Sequence, residues 1–280
     1  MVENVVRVGP VQMNSRSDKG ANLATAERLI DEAAEKGARL VGLPEYVSYL
    51  GPTALHEANA EPIPGPTTER FAAKARQHGI YLLGGSILER SDTPGRYYNT
   101  STFFNPDGEI QATYRKIHLF DIDITGNVSA NESATILPGD RAITVEMDGH
   151  RLGLTICYDL RFPELYRMLA LDGAEVVFVP AAFTLFTGKD HWHTLLRSRA
   201  IENQCYVLAP AQIGPHDPNA QCYGHALVAD PWGTIIADAP DHEGVVIADI
   251  DFDYLQQVRT QLPSLANRRP SAYQREPVNV

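Results

Sequence analysis

Cys157 is the residue whose position points most directly to chemistry. It follows the apolar run 152–156, and Pro163 suits the first turn of a helix, so the pattern predicts a thiol at a strand-to-helix turn. Backbone N–H groups at such a turn lower the pKa of a thiol and can bind a developing oxyanion. The pattern therefore predicts a nucleophilic cysteine. The alternative is a buried structural cysteine, which is the commoner fate of this residue type.

A cysteine nucleophile needs a base or a cationic neighbour, because a free thiol with a pKa of about 8.5 is only a few per cent ionised at neutral pH. Glu45 lies where the apolar segment 40–43 ends, and burial there would raise its pKa towards the range useful for acid–base catalysis. Lys116 ends another predicted strand, where its charge could stabilise an oxyanion. Either residue taken alone is also compatible with a solvated surface side chain.

The remaining histidine and cysteine patterns predict no metal site and no cofactor. His191 and His193 flank Trp192, but positions i and i+2 of a helix do not face each other, and no third ligand is evident. We expect them to pack or to line a pocket. Cys205 and Cys222 are expected to be inert, because the three cysteines lack the spacing of a metal knuckle or a redox pair, and an odd count argues against a disulfide framework.

Strand-length apolar runs alternate with helix-period segments along the chain. The predicted strands cover residues 5–12, 40–43, 80–87, 98–105, 109–115, 142–147, 151–157, 175–179, 205–210, 223–230, 234–238 and 245–250. The predicted helices cover residues 22–36, 68–78, 162–171, 191–203 and 254–262. This mixture of hairpins and strand–helix units predicts an α/β fold with parallel and antiparallel pairing. No linker divides it, so we expect a single domain over residues 1–253, followed by a C-terminal helix and arm over residues 254–280.

Composition excludes several classes of partner. The 280 residues include 24 Lys and Arg against 35 Asp and Glu, a formal net charge of −11, which disfavours binding to nucleic acid or to an anionic membrane surface. The N-terminus lacks a basic region followed by an apolar run, and no segment approaches the roughly 18 apolar residues of a membrane helix. We therefore expect a cytoplasmic protein whose core forms without disulfides or metal.

Three segments together resemble a known enzyme superfamily. Residues 43–45, 114–119 and 157–164 are similar, in order and in separation, to the three signature segments of the nitrilase, or carbon–nitrogen hydrolase, superfamily. The resemblance runs from about residue 5 to about residue 250 and continues into the arm at residues 268–270. Within the superfamily the chain looks most like the ω-amidase and deaminated-glutathione amidase branches. That closer likeness rests on residues 187–193, 199–206, 223–225 and 230–233.

The resemblance implies a fold and a set of roles. The fold would be an α-β-β-α sandwich that usually dimerises, with the arm near the subunit interface. Glu45 would take the thiol proton, Cys157 would attack an amide carbonyl, and Lys116 with the N–H of Tyr158 would hold the oxyanion. Ammonia would leave a thioester, which water activated by Glu45 would hydrolyse. Glu132 matches a second glutamate of the family, expected to orient Lys116 and the substrate amide.

The substrate implied by the resemblance is a small amide, expected to carry a carboxylate. Arg161 could bind that carboxylate with its rigid guanidinium fork, or could instead form a structural salt bridge with Asp159, Glu164 or another acidic residue. Phe183 could line the pocket.

Three functions remain open on the sequence. The first is an amidase, and the second is a nitrile or N-carbamoyl hydrolase that uses the same three residues. The third is a catalytically silent binding protein, against which the intact set of Glu45, Lys116 and Cys157 argues. A homo-oligomer, at least a dimer, is expected in each case.

Overall fold

In the computed structural model, which describes residues 4–217 and 220–273, two β-sheets lie face to face. The strands are β1 (Val5–Met13), β2 (Leu40–Gly42), β3 (Tyr81–Arg90), β4 (Tyr97–Phe104), β5 (Ile110–Arg115), β6 (Asp121–Ile124), β7 (Val128–Asn131), β8 (Ile143–Met147), β9 (His150–Leu154), β10 (Val176–Phe178), β11 (Tyr206–Ala209), β12 (Ala211–Asp217), β13 (Ala220–Tyr223), β14 (Leu227–Ala229), β15 (Ile235–Asp238), β16 (Gly244–Val245) and β17 (Ala248–Asp251). The helices are α1 (Lys19–Glu35), α2 (His56–Asn59), α3 (Pro66–His78), α4 (Pro163–Leu171), α5 (Leu185–Asn203) and α6 (Phe252–Gln261), with short 3₁₀ helices at Thr53–Leu55, Glu132–Ala134, Cys157–Arg161 and Pro270–Ala272.

Strand direction places several strand ends at one edge. The first sheet has the order β13-β12-β1-β2-β3-β4-β5, with β16 and β17 also paired to β1. Strands β1, β2 and β3 are parallel, whereas β4 is antiparallel to both β3 and β5. Strand β5 therefore runs in the direction of β2, and the carboxyl ends of both strands lie at the same edge. The second sheet, β15-β14-β11-β10-β9-β8, has a parallel centre of β9, β10 and β11.

Both faces of the central strands are buried, which explains their nearly continuous apolar sequence. In the first sheet Val41 and Leu82 pack into one apolar cluster with residues of α1 and α3. Their neighbours Leu40 and Leu83 belong to a second cluster that includes the facing sheet and the helices α4 and α5. Burying one such side chain contributes about 1.5–3 kcal/mol. The α-β-β-α sandwich expected from the sequence is confirmed.

Gly42 allows the two sheets to approach closely beside the candidate site. A Cβ atom at this position would lie 2.8 Å from the Phe178 ring of the facing sheet, which is closer than real Cβ atoms come. Only a residue without a side chain fits at this contact without a shift of the aromatic ring. Glu45 follows three residues later, so the close packing helps to fix the start of its loop.

Two predicted elements were wrong. Helix α5 begins at Leu185 instead of residue 191, because its polar first turns hide the helical pattern. Gly188 lies in those turns, and a Cβ there would lie 2.4 Å from that of Tyr223, so glycine lets the helix pack against β13. The predicted strand 223–230 is divided between the two sheets. Gly224 (φ 81°) and His225 (φ 58°) have left-handed backbones that turn the chain from β13 to β14.

The predicted C-terminal region packs on the sandwich through α6. Phe252, Leu255 and Val258 are buried, and the Phe252 ring stacks on His150 with a centroid distance of 3.4 Å. The predicted arm extends to Val280, of which residues 274–280 lie outside the described residues. Among the residues that are described, no helix is both long and apolar enough to cross a bilayer.

Candidate active site

Three strand ends bring Glu45, Lys116 and Cys157 together. Lys116 directly follows β5, Glu45 lies three residues beyond β2, and Cys157 lies three residues beyond β9 in the other sheet. The Lys116 Nζ is 2.9 Å from Glu45 Oε1, and each of these side chains is only 2% exposed. Glu45 and Cys157 line the same cavity, and the Glu45 carboxylate lies close enough to the thiol to raise its pKa. The three residues predicted to act together therefore meet between the sheets.

The Glu45 carboxylate is held by partners on both oxygens. Oε1 accepts hydrogen bonds from Lys116 Nζ and, at 2.8 Å, from Asn99 Nδ2. Oε2 accepts a hydrogen bond from the Ala182 N–H at 2.8 Å. The backbone carbonyl of Glu45 accepts a hydrogen bond from Gln212 Nε2 at 2.9 Å. These contacts fix the carboxylate before any substrate arrives.

Glu132 lies beside Lys116, where the resemblance predicted it. Its Oε2 atom is 2.8 Å from Lys116 Nζ and accepts the Phe120 N–H at 2.7 Å, while its Oε1 atom accepts the Tyr46 hydroxyl at 2.7 Å. Burial alone would raise the pKa of Glu132, but the Lys116 ammonium outweighs it and lowers that pKa. The hairpin of β6 and β7, which the sequence did not predict, delivers Glu132 to this position.

The Lys116 ammonium carries its charge despite complete burial. Burial acts to lower the pKa of Lys116, but Glu132 and Glu45 outweigh it, and the pKa is raised well above its ordinary value. The site therefore holds the Lys116 cation between the carboxylates of Glu45 and Glu132. A cation fixed in this way needs no rearrangement to stabilise a nearby negative charge.

The pKa of Cys157 differs from the sequence expectation. The turn was expected to lower it, but burial of the thiol and the nearby charge of Glu45 raise it well above its ordinary value. Lys116 acts in the opposite direction without reversing the shift. Cys157 has a left-handed backbone (φ 46°), and its N–H donates to the Pro180 carbonyl at 3.0 Å. The resting residue is therefore a neutral thiol beside a carboxylate.

Tyr158 follows Cys157 in the first turn of the 3₁₀ helix Cys157–Arg161. N–H groups at a helix start have no acceptor within the helix, so the Tyr158 N–H, one residue after the thiol, has no intrahelical partner. Its ring makes edge contacts with Phe120 at 5.1 Å and Phe162 at 5.4 Å between centroids. These contacts restrain the turn that carries the thiol.

Asp159 ties the thiol turn to the segment after Lys116, a role that the sequence did not reveal. Its fully buried carboxylate accepts the Ile156 N–H at 2.8 Å and the Tyr114 hydroxyl at 2.7 Å. The other oxygen accepts the His118 N–H at 3.1 Å and lies 2.7 Å from His118 Nδ1. Sequence reasoning treated Asp159 only as a possible partner of Arg161.

Asn99 is a second residue that sequence reasoning missed. It lies within β4, is fully buried, and donates from Nδ2 to Glu45 Oε1 at 2.8 Å and to Glu132 Oε1 at 3.3 Å. One amide thus spans the two carboxylates that flank Lys116. The available signal was the polar run 99–102 inside an otherwise apolar strand.

A cavity of about 1050 Å³ opens onto the thiol. Its lining includes Glu45, Lys116, Glu132 and Cys157. The remaining lining residues come from the segment after β2, from the β6–β7 hairpin and the segments beside it, from the start of α5 and the loop before it, and from β12 and β13: Tyr46, Tyr49, Leu50, Gly51, Thr53, His56, Phe120, Asn127, Val128, Ser129, Ala130, Asn131, Thr135, Ile136, Ala182, Thr184, Leu185, Phe186, Lys189, Pro215, His216, Asp217, Ala220 and Gln221. The volume suits a small molecule.

Arg161 and Phe183 are not among the described residues that line this cavity. The Arg161 guanidinium lies 5.2 Å from the centre of the Phe183 ring, and Phe183 is buried against Trp192. Arg161 Nη1 is also 3.3 Å from His191 Nδ1. The possible salt bridge of Arg161 with Asp159 or Glu164 is not formed in the structure either, because Asp159 is directed towards Tyr114 and His118.

Lys189 supplies the cation at the rim of the cavity. Among the described lining residues, Lys116 is already neutralised by two carboxylates, and burial lowers the pKa of both His56 and His216. Lys189 is exposed on the first turns of α5, with its Nζ 5.6 Å from the centre of the Phe186 ring. It is the lining side chain best able to meet an anionic substrate group.

Residues 7–260 match the carbon–nitrogen hydrolase family, and the chain belongs to this family. It is therefore a carbon–nitrogen hydrolase of the nitrilase superfamily. It is 46% identical to the deaminated glutathione amidase of Synechocystis over 92% of this chain and 96% of the relative, and 40% identical to human omega-amidase NIT2 over 95% and 96%. The crystal structure of Saccharomyces cerevisiae Nit3 aligns with a TM-score of 0.85 and 33% identity over 94% of this chain and 96% of that one.

Proposed function

We propose that this enzyme is an amidase, which hydrolyses the terminal amide of a small carboxylate-bearing molecule to the acid and ammonia through a thioester on Cys157. The observation that carries the proposal is the buried Glu45 carboxylate, which contacts Lys116 and lies near Cys157. These three residues line the cavity, and they are called its floor below. The names of the relatives, deaminated glutathione amidase and omega-amidase, support an amide of this kind as substrate.

The first half of the reaction forms the thioester. Because the resting thiol is neutral, Glu45 takes its proton as the sulfur attacks the amide carbonyl. The oxyanion that develops is stabilised by the Lys116 ammonium and the N–H of Tyr158. Glu45 then returns the proton to the leaving nitrogen, and ammonia departs.

The second half of the reaction uses the same carboxylate. Glu45 removes a proton from a water molecule, which attacks the thioester, and the acid leaves as the thiol is restored. Glu132 keeps Lys116 in place during both halves through contacts of 2.8 and 3.2 Å with its Nζ. Glu132 is therefore a positioning residue in this mechanism.

The substrate carboxylate is assigned to the rim of the cavity. Lys189 is the lining cation that two carboxylates do not already neutralise, whereas Arg161 lies outside the lining. A charge-assisted contact with Lys189 would place the terminal amide of a short dicarboxylic mono-amide towards the floor. Arg161 contacts Phe183, which also lies outside the described lining, so Arg161 is not assigned a contact with the substrate.

A direct test is ammonia release from a panel of substrates. We expect release from deaminated glutathione or from the ω-amides of keto acids, with a much smaller rate from neutral amides of similar size. Faster turnover of simple nitriles or of N-carbamoyl amino acids than of these amides would contradict the proposal, and would indicate a nitrile or N-carbamoyl hydrolase. Release from no member of the panel would support a silent protein instead.

We also propose that the chain forms at least a dimer. Large apolar side chains are exposed on the outer helices and beside them: Met168 (60%), Leu171 (52%), Ile201 (46%), Trp232 (58%) and Leu262 (50%). Ile201 lies against the turn that carries Trp232, since a Cβ at Gly233 would be 2.5 Å from its side chain. Such a surface on helices α4 and α5 suits a second copy of the chain.

Light scattering at micromolar concentration tests the assembly. We expect at least twice the 30.8 kDa mass of one chain, and a shift towards the monomer in Trp232→Glu. Leu55→Glu, which changes an apolar side chain that is 46% exposed on the Thr53–Leu55 helix, is the matched control and should keep the oligomer. A monomeric mass for the unchanged chain would contradict the proposal.

A further inference from the structure

Three side chains converge outside the cavity lining. His193 comes from α5, His225 from the turn between β13 and β14, and Asp238 from the end of β15. His193 Nε2 is 3.0 Å from Asp238 Oδ2, and His225 Nδ1 is 3.1 Å from Asp238 Oδ1. One ligand atom from each of the three residues lies within 4.8 Å of the others. His193 thus finds its partners in distant segments and not in His191.

Buried neighbours hold both imidazoles in place. His225 has a left-handed backbone (φ 58°), and its carbonyl accepts a hydrogen bond from Trp192 Nε1 at 2.8 Å. Trp192 is fully buried and directly precedes His193, so one aromatic residue fixes the backbone at both histidines. The Tyr223 ring packs beside them, with centroid distances of 4.6 Å to His225 and 5.9 Å to His193.

The two ring nitrogens of His225 face different carboxylates. Nδ1 is 3.1 Å from Asp238 Oδ1, and Nε2 lies 3.5 Å from Oδ1 of Asp241, whose side chain is 86% exposed. With a metal ion on Nδ1, the ring would carry its N–H on Nε2, on the side of Asp241. Metal-bound histidines usually donate this second N–H to a carboxylate, a backbone carbonyl or water.

We propose that His193, His225 and Asp238 form a site for a divalent transition metal, of which zinc fits best. Zinc takes imidazole nitrogen and carboxylate oxygen at about 2.0–2.2 Å in a tetrahedron, whose ligand atoms are then about 3.3 Å apart. In the structure, His193 and His225 contact different oxygens of Asp238, at 3.0 and 3.1 Å. One ligand atom from each of the three residues lies within 4.8 Å of the others, so a bound ion would draw the two imidazoles closer together. Two imidazoles disfavour calcium and magnesium, which prefer oxygen ligands.

The surroundings of the site suit a metal ion that keeps one coordination position open to water. The side chains of His193, His225 and Asp238 are 29%, 25% and 36% exposed, so a water molecule can complete the tetrahedron. Asp238 and Asp241 both carry negative charge at the site. Metal binding here would join α5 to the end of β15, and would be independent of the reaction at Cys157.

Calorimetric titration with zinc chloride tests the site. The protein is the full chain without a polyhistidine tag, stripped by chelator and carrying Cys157→Ala to remove the cavity thiol as a competing ligand. We expect one zinc ion per chain, with affinity at least tenfold weaker in His193→Gln and in Asp238→Asn. Asp241→Asn should weaken binding by about tenfold as the loss of an outer-shell partner. His191→Gln, two residues before His193 on the same helix, is the matched control and should bind as the parent does.

Thermal unfolding provides a second measurement that also reports folding. Zinc should raise the unfolding midpoint of the parent and of His191→Gln, and should leave that of His193→Gln unchanged. Without metal, the three proteins should unfold at similar temperatures. The proposal is overturned if zinc does not bind, or if His193→Gln and Asp238→Asn bind it as the parent does. In either case the cluster would only be a set of polar contacts between Asp238 and the two histidines.

Discussion

The floor and the rim of the cavity hold their charges in opposite ways. At the floor, Lys116 and Glu45 are each 2% exposed and contact each other directly. At the rim, Lys189 is exposed and lies over the Phe186 ring of its own helix. The floor is therefore organised before substrate binds, whereas the rim meets the substrate from solvent. Changes at the floor should act on kcat, and changes at the rim should act on KM.

The same contrast applies to stability. Removing one partner of a buried ion pair costs about 3–5 kcal/mol, because the other charge remains buried without compensation. An exposed charge typically contributes about 0–1 kcal/mol. Substitutions that remove a charge from the Lys116–Glu45 pair should therefore affect folding as well as catalysis, and a substitution of Lys189 should not.

The largest effect is expected for Cys157→Ala. This change removes the nucleophile, so amide turnover should be lost while the unfolding midpoint stays close to that of the parent. Cys205→Ala changes a cysteine that is fully buried away from the cavity lining, and it should keep most of the activity. Substantial turnover by Cys157→Ala would show that the proposed mechanism is wrong.

Lys116→Ala should lower kcat by at least about 10²–10³, the usual effect of losing one oxyanion partner. It leaves Glu45 and Glu132 buried without their shared cation, so the free energy of unfolding should also fall by several kcal/mol, on the order of the buried-pair penalty. The double variant Lys116→Ala/Glu132→Gln removes one of the two charges and should regain stability without regaining activity. Ammonia release measures kcat, and denaturant unfolding measures the free energy of unfolding. An unchanged free energy of unfolding in Lys116→Ala would contradict the expected difference in stability between floor and rim substitutions.

Glu45→Gln should separate thiol ionisation from catalysis. The charge of Glu45 raises the pKa of Cys157, so removing the charge should lower that pKa and increase the thiolate fraction at a given pH. Turnover should nevertheless collapse, because no base remains for the leaving ammonia or for water. Thiolate absorbance against pH and the rate of ammonia release give the two values. A variant with both a lower thiol pKa and undiminished turnover would exclude Glu45 as the base.

The smallest effect is expected at the rim. Lys189→Met should raise KM for an anionic amide by about two- to fivefold, the range expected for one exposed charge, and leave KM for a neutral amide nearly unchanged. Arg161→Met is the matched control, because it removes a cation outside the cavity lining. If Arg161→Met raises KM for the anionic amide more than Lys189→Met does, the carboxylate is read by Arg161, as the sequence first suggested.

The layers of the fold could be predicted because they rest on local patterns. Apolar runs of strand length and helix-period segments are visible in the sequence, and the hairpin turns at 106–108 and 148–149 join the predicted pairs β4–β5 and β8–β9. The start of α5 and the break between β13 and β14 were missed. At these two places a glycine lies against a side chain that is distant in the sequence: Gly188 against Tyr223, and Gly224 against Ile213. No local sequence pattern reveals such contacts.

The floor residues Glu45, Lys116 and Cys157 could be identified from the sequence, since each follows a strand end and strand ends meet at a sheet edge. The charge states of Lys116 and Cys157 could not, because a pKa depends on burial and on neighbours that are far apart in the chain. Lys116 and Glu45 are 71 residues apart, yet their contact sets the charge beside the thiol. The contact of His193 with Asp238 likewise could not be read from the sequence. The two residues are 45 positions apart in the chain, and the fold places His193 Nε2 3.0 Å from Asp238 Oδ2.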